Sequence, residues 1–370
     1  MRLLFASHSF PPEGAPLDNV GGMQRVATEL HAALGARDDV TLRTLALRAS
    51  WKEVHRKAVP FLLGLGPRLL SEARRHRADA VLFTSMTTAL PALLFGRALR
   101  RQGTRLVAIA HGLDVTEPQP VYQAAIRQLC RQLDALLPVS RATAAQLEER
   151  GAPRRRVTVV PNAVDVGRFT APATGRVAGA PALPDDAFLL VTVGRQVKRK
   201  GFAWFVENVM PRLPANAHFW LAGDGPERPT IEAAIARVGM GGRVRCLGKI
   251  DDASLLSLYA RGALFVMPNI VVPGDMEGFG IVMLEAGASG LPTVAADLEG
   301  IRDVIAEGVN GWFAPSGDAE AFAARIRGLM EAPETLASAR ERTRAHVRGT
   351  FTWDATASRT LDAIRQAAPR

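Results

Sequence analysis

Between Ala263 and Ala295 the chain reads ALFVMPNIVVPGDMEGFGIVMLEAGASGLPTVA, and this stretch restricts the fold more than any other. Ala263 to Met267 is an apolar run short enough for a buried strand, and Pro268 stops it. A loop of Pro, Gly and acidic residues follows. Phe279, Ile281, Val282, Leu284 and Ala288 then recur at helical spacing up to Gly290, and Pro292 to Ala295 forms a second short apolar run. The stretch is therefore a strand, loop, helix, strand unit. Glu277 sits just before the helix and Glu285 two turns later, inside it. Gly278 and Gly280 bare the backbone N–H groups at the helix start, which suits close approach by a phosphate or a sugar oxygen. The same pattern also fits an ordinary capped helix with Glu285 solvated.

The rest of the chain repeats this alternation. Strands are expected at Arg2 to Ala6, Val40 to Leu47, Asp79 to Thr84, Arg105 to Ala110, Ala135 to Val139 and Val157 to Val160. Helical periodicity falls between most of them, from near Met23 and at Thr88 to Arg101, Tyr122 to Leu133 and Ser140 to Arg150. Such alternation predicts a parallel sheet covered on both faces, with ligands held beyond the carboxyl ends of the strands. The residues to inspect are then Ser7, Ser85, His111 with Gly112, Ser140, and Pro161 with Asn162. A nicotinamide-binding domain would need Gly-x-Gly-x-x-Gly directly after the first strand. That turn is missing; a long loop from Ser7 instead ends in Gly21 and Gly22 at a helix start. The alternation restarts with Phe188 to Val193 after an Ala-, Gly- and Pro-rich stretch, Gly175 to Asp186, that reads as a linker. At about 150 residues per domain, 370 residues also predict two domains.

Charge is uneven along the chain. The net charge is +10, and residues 1–165 hold 23 Lys and Arg against 14 Asp and Glu, whereas the remainder is almost neutral. Within the first half, Trp51 to Arg77 mixes basic residues with Phe61, Leu62, Leu63, Leu65, Leu69 and Leu70. That composition suits a helix on an anionic surface, and equally a solvated basic helix on its own domain. No zinc, RNA-binding-domain or helix-turn-helix pattern points to nucleic acid. No apolar run reaches the roughly 18 residues of a membrane span, and the N-terminus lacks a signal-peptide core, so a cytoplasmic location is expected. Cys130 and Cys246 stand alone in apolar sequence and are expected as buried thiols.

Two glutamates seven residues apart in EGFGIVMLEA resemble the paired-glutamate signature of retaining glycosyltransferases of family 4. The resemblance implies a GT-B fold, α/β, with two Rossmann-like parallel-sheet domains facing a central cleft. It extends to IAHGLD around His111, to VVPNAVDVGRF at a domain crossing, to VGRQVKRKGF with Arg195 and Lys200, and to a terminal helix at Phe351 to Gln366. The domains it implies are residues 1–165 for the acceptor, a hinge at 166–186, residues 187–350 for the donor, and residues 351–370 crossing back to the first domain. By the same resemblance, Arg195 and Lys200 hold the donor diphosphate, Lys200 fitting better than Lys198 or Arg199. Glu277 and the backbone of Gly278, Phe279 and Gly280 hold the sugar, Glu285 holds the ribose hydroxyls, and Gly21 and Gly22 approach the diphosphate and acceptor. His111 meets the sugar, and Asp114 either touches sugar or acceptor or is a solvated turn residue.

The implied reaction moves a hexose from GDP-mannose or a UDP-hexose to a hydroxyl acceptor, and the basic, partly apolar first half suggests one that is lipid-linked or in a cell-envelope glycan, at the inner face of an anionic membrane. No cofactor is implied beyond the nucleotide-sugar substrate. No Asp-x-Asp motif occurs, so no metal requirement is expected. A soluble acceptor and a sugar-nucleotide epimerase on the same fold are the alternatives.

Overall fold

In a computed structural model the described residues are 1–14, 21–170, 173 and 176–367. The chain divides into two compact units, Met1–Ala163 with Trp353–Arg370, and Val164–Thr352. Most of the expected linker is a described surface segment, but Gly175, like residues 15–20 of the expected glycine-rich loop, lies outside the described residues.

The first unit runs β1 (Arg2–Phe10), α1 (Gly22–Gly35), β2 (Thr41–Arg48), α2 (Trp51–His76), β3 (Ala80–Phe83), α3 (Ala92–Arg101), β4 (Arg105–Ala110), α4 (Leu113–Thr116), α5 (Pro120–Gln132), β5 (Ala135–Pro138) and α6 (Arg141–Glu149). Its strands are all parallel, in the order β2-β1-β3-β4-β5. Residues AVLF of β3 and ALLP of β5 are buried throughout, because a parallel strand with helices on both faces has no solvent side to make polar. Leu65 and Leu69 of α2 and Ile126 and Leu129 of α5 pack into the core with Val81, Leu106 and Leu136. Ser50 and Glu53 form a capping box at the start of α2.

The second unit runs α7 (Val166–Phe169), β6 (Phe188–Val193), α8 (Phe202–Asn208), β7 (Ala217–Ala222), α9 (Arg228–Arg237), β8 (Val244–Gly248), α10 (Asp252–Arg261), β9 (Leu264–Met267), α11 (Ile281–Ala288), β10 (Thr293–Ala296), β11 (Gly311–Ala314), α12 (Ala319–Met330) and α13 (Pro333–Thr350). Its six strands are also all parallel, ordered β11-β10-β9-β6-β7-β8. The last helix, α14 (Trp353–Gln366), belongs to the first unit, where Arg365 reaches Asp39 at 2.8 Å and the Ala367 carbonyl accepts from Arg105 at 2.9 Å.

Several elements differ from expectation for local reasons. Val157 to Val160 runs along β5 without forming a full strand: one parallel bridge joins Val157 to Leu136, and the Thr158 and Val160 N–H groups donate to the Leu136 and Pro138 carbonyls at 3.0 and 2.9 Å before Pro161 ends the pairing. The stretch GVNGWFAP, rich in turn residues, holds β11, whose Trp312 stands opposite Val294. The helical stretch after β11 is divided into α12 and α13 because Pro333 cannot donate inside a helix and instead opens a new one. Cys130 is buried, whereas Cys246 on β8 is only half-buried.

Candidate active site

Each sheet reverses its winding once. In the second unit the chain lays β6, β7 and β8 outward in one direction and then returns to place β9, β10 and β11 on the other side of β6. The loops leaving β6 and β9 therefore diverge from one point, which is where open α/β sheets hold ligands. Lys200 follows β6; Asn269 and Glu277 follow β9.

These residues meet. Lys200 Nζ lies 2.6 Å from Glu277 Oε2, with both side chains under a tenth exposed. Asn269 Nδ2 donates to the same oxygen at 3.1 Å, and Arg199 Nε stands 3.5 Å from it. Arg199 in turn pairs with Asp275 at 2.9 Å. Burial pushes the Glu277 carboxyl up, but Lys200, Arg199 and the two side-chain hydrogen bonds together hold it below the usual carboxylate range. Among the described residues, every donor to Glu277's carboxylate converges on Oε2, so Oε1 keeps its lone pairs for an outside donor. Lys200 has three N–H donors, and the carboxylate engages them through one oxygen.

The other expected donor residues sit around this pair. Arg195 is exposed on the loop after β6, while Lys198 is exposed, Arg199 is half-buried and Lys200 is buried. The 3-10 turn Lys198–Lys200 leads into α8, which is only seven residues long, so no strong helix dipole faces the loop. Glu285 is not solvated. It is buried inside α11 and accepts from the Tyr259 hydroxyl at 3.0 Å. Phe279 packs its ring against Phe351 at 6.1 Å, so only its backbone is offered to a ligand. Gly280 is the N-cap of α11 and Gly278 precedes it in the loop, which starts the helix two residues later than the periodicity suggested.

In the first unit the reversal falls between β1 and β3, and His8, Ser85, Thr88 and His111 gather at the strand ends. His111 Nε2 bonds the Thr84 carbonyl at 2.8 Å. A carbonyl only accepts, so Nε2 carries the proton and Nδ1 is the acceptor in the neutral ring. Asp114 is not a solvated turn residue: it is buried, and it accepts from the backbone N–H groups of His111 at 2.7 Å and Met86 at 2.9 Å. Gly21 is the N-cap of α1 and Gly22 its first residue. Among the described residues no group of three or more His, Cys, Asp or Glu could hold a metal ion.

Sequence reasoning did not single out Asn269, Tyr259 or His8. Asn269 stands two residues past β9, and the strand-end rule applied to the first half would have found it. His8 is half-buried near the end of β1, with Nδ1 2.7 Å from Thr88 Oγ1. Burial lowers its pKa below the ordinary 6.5, with Asp114 opposing and His111 adding. The unfolded chain therefore binds more protons than the folded one as pH drops through 6.5, and stability is lost on acidification. His31, His218 and His346 are lowered in the same direction. Urea unfolding from pH 7.5 to 5.5 should thus show falling stability, with a shallower slope in His8→Asn. An identical slope in the variant would show that His8 does not titrate as described.

Two doubly wound parallel sheets in this arrangement are the GT-B fold, which solved structures share: Anabaena HepE in complex with UDP has a TM-score of 0.76 at 18% identity, covering 99% of this chain and all of that one. Residues 20–168 match the family described as Glycosyltransferase Family 4, and residues 187–332 match Glycosyl transferases group 1. The chain thus has the GT-B fold, and its two halves resemble glycosyltransferase family 4 and glycosyl transferases group 1. A GDP-mannose-dependent monoacylated alpha-(1-6)-phosphatidylinositol monomannoside mannosyltransferase from Corynebacterium glutamicum is 25% identical over all of this chain and 99% of its own length. The lipopolysaccharide core biosynthesis glycosyltransferase LpsE from Rhizobium meliloti is 34% identical over 48% of each chain. Several such relatives are matched over only 48 to 65% of their own length.

Proposed function

We propose that this chain is a retaining hexosyltransferase that takes a hexose from a nucleotide-diphosphate sugar to a hydroxyl acceptor, without a metal ion. The observation that carries the reading is the buried Lys200–Glu277 pair with Oε1 left open. In this reading Lys200 and Arg195 neutralise the diphosphate, which is what a leaving group gaining charge requires. Glu277 Oε1 and the backbone of Gly278 to Gly280 accept and donate to the sugar hydroxyls, and Glu285, steadied by Tyr259, takes the ribose. The acceptor oxygen bonds to the anomeric carbon on the face from which the diphosphate leaves, and its proton passes to the departing phosphate oxygen. His111 Nδ1 accepts from a sugar hydroxyl. Gly21 and Gly22 approach the diphosphate and acceptor.

For the donor, GDP-mannose is favoured by the relative matched over its full length, which is named as GDP-mannose-dependent, and a UDP-hexose by neighbours solved with UDP and UDP-glucose. The acceptor is a lipid-linked or cell-envelope glycan at the inner face of an anionic membrane. Support comes from Val59, Leu63 and Leu94, exposed beside Arg56, Lys57 and Arg97 on α2 and α3 of the first unit. Each cation near such a surface contributes about 1 kcal/mol, so several together hold a protein there without a span. No helix among the described residues is long and apolar enough to cross a membrane.

Nucleotide release from GDP-mannose, UDP-glucose and other nucleotide sugars, with a chelator present and with glycolipid or soluble acceptors, tests the reaction. Release with GDP-mannose and an α-linked product are expected. Activity that returns only with manganese or magnesium overturns metal independence, and a β-linked product overturns retention. Sedimentation with anionic vesicles at low salt should bring the protein down; if it stays in solution, the acceptor is a soluble one.

A further inference from the structure

We propose that Glu299 is a positioning residue for the donor sugar, fixing Glu277 by gripping its backbone from the loop after β10. The inference rests on the reading that Glu277 holds the sugar. Glu277 donates its N–H to Glu299 Oε2 at 2.5 Å, and its carbonyl accepts from the Gly300 N–H at 3.1 Å. One dipeptide thus holds both polar backbone groups of the residue whose carboxylate meets Lys200. The two segments are pressed together, for a Cβ at Gly300 would stand 2.1 Å from the Gly278 carbonyl oxygen.

Glu299 holds this place under strain. Its φ is +46°, and among the described residues the one other non-glycine with positive φ is Arg77. Arg77 is the C-cap of α2, where a left-handed residue is ordinary. Glu299 instead opens the 3-10 turn Glu299–Asp303, where glycine would sit without strain. Its carboxylate is also poorly placed for stability. Burial pushes it above the usual range, and the charges of Glu277 and Asp275 add to that, against the Glu277 N–H and Arg199. A strained acid beside two other acids is better explained by what it does to Glu277 than by a contribution to folding.

Three proteins test this: wild type, Glu299→Gln, whose amide oxygen still accepts the Glu277 N–H, and Glu299→Gly, which removes acceptor and strain together. Nucleotide release from GDP-mannose and UDP-glucose gives kcat and KM, and thermal unfolding gives Tm. Glu299→Gln should stay within about threefold of wild type, and Glu299→Gly should lose about tenfold or more in kcat with donor KM nearly constant and Tm equal or higher. Wild-type kcat in Glu299→Gly, a loss that glutamine does not spare, or a loss that follows a falling Tm each overturns the proposal. If wild type releases no nucleotide, the hexosyltransferase reading is what fails. The grip is then read from unfolding of Glu299→Gly, Lys200→Met and the double variant, where non-additive midpoints support it and additive ones overturn it.

Discussion

Lys200→Ala should lose both activity and stability, and the two losses should separate when Glu277 is neutralised as well. Lys200 is 8% exposed in its side chain and its ammonium lies 2.6 Å from Glu277. Burial pushes that ammonium below the usual lysine range, Glu277 pulls it back and Arg199 pushes it further down, so charge here is costly unless both partners are present. Alanine leaves Glu277 buried with only Asn269 and the more distant Arg199, and breaking such a pair costs about 3–5 kcal/mol of folding stability. Loss of one contact to a departing diphosphate removes about 2–4 kcal/mol of transition-state stabilisation, roughly 30- to 1,000-fold in kcat/KM. In Lys200→Met/Glu277→Gln both charges go, and stability should return to within about 1–2 kcal/mol of wild type, as buried pairs replaced together often do. The rate should stay low. A rate that recovers with stability would show that the lysine charge is not used in transfer.

The same pair shows what a sequence can and cannot report. The strand before Asn269, the helix after Gly280 and the presence of a cation in VGRQVKRKGF are legible because they are local: apolar runs, 3.6-residue spacing and a basic turn. Which of three adjacent cations turns inward is not local. The interior place of Lys200 depends on Gly201 and on the loop after β9, almost seventy residues later. Glu285 shows the same limit from the other side. Its spacing is that of a solvated helix position as readily as of a buried one, and only the packing of α11 on every side, with Tyr259 brought from α10, puts it inside. The burial of Asp114 is not legible locally because its two partners are backbone N–H groups, and one of them, Met86, lies on a different loop. The sixth strand of the second sheet was hidden because GWFA is four residues long and flanked by turn residues, so its pairing with β10 rather than its own pattern defines it.

Gly201→Ala should be among the most damaging single substitutions in the second unit. Gly201 has φ +66°, and it both closes the turn that carries Lys200 and begins α8. A Cβ there would stand 2.0 Å from the Pro268 carbonyl oxygen and 3.0 Å from its carbon, backbone atoms at the end of β9 that have no rotamer to change. The Arg199 carbonyl also accepts from the Ile270 N–H at 2.9 Å, so the loops after β6 and β9 are joined on both sides of the clash. Left-handed strain of about 1–2 kcal/mol and overpacking of about 1–3 kcal/mol then act together. Gly317→Ala is the matched comparison, since Gly317 has φ +79° but open space around it and should cost only the strain. In urea unfolding Gly201→Ala should therefore fall below Gly317→Ala by about 1–3 kcal/mol. Relief of the clash has to move the Lys200 turn away from Asn269 and Glu277, so the thermal stabilisation that GDP or UDP gives wild type should also vanish in Gly201→Ala and persist in Gly317→Ala. Equal losses in the two variants would mean that the loops after β6 and β9 do not meet as closely as described, and the placement of Lys200 on Glu277 would go with them.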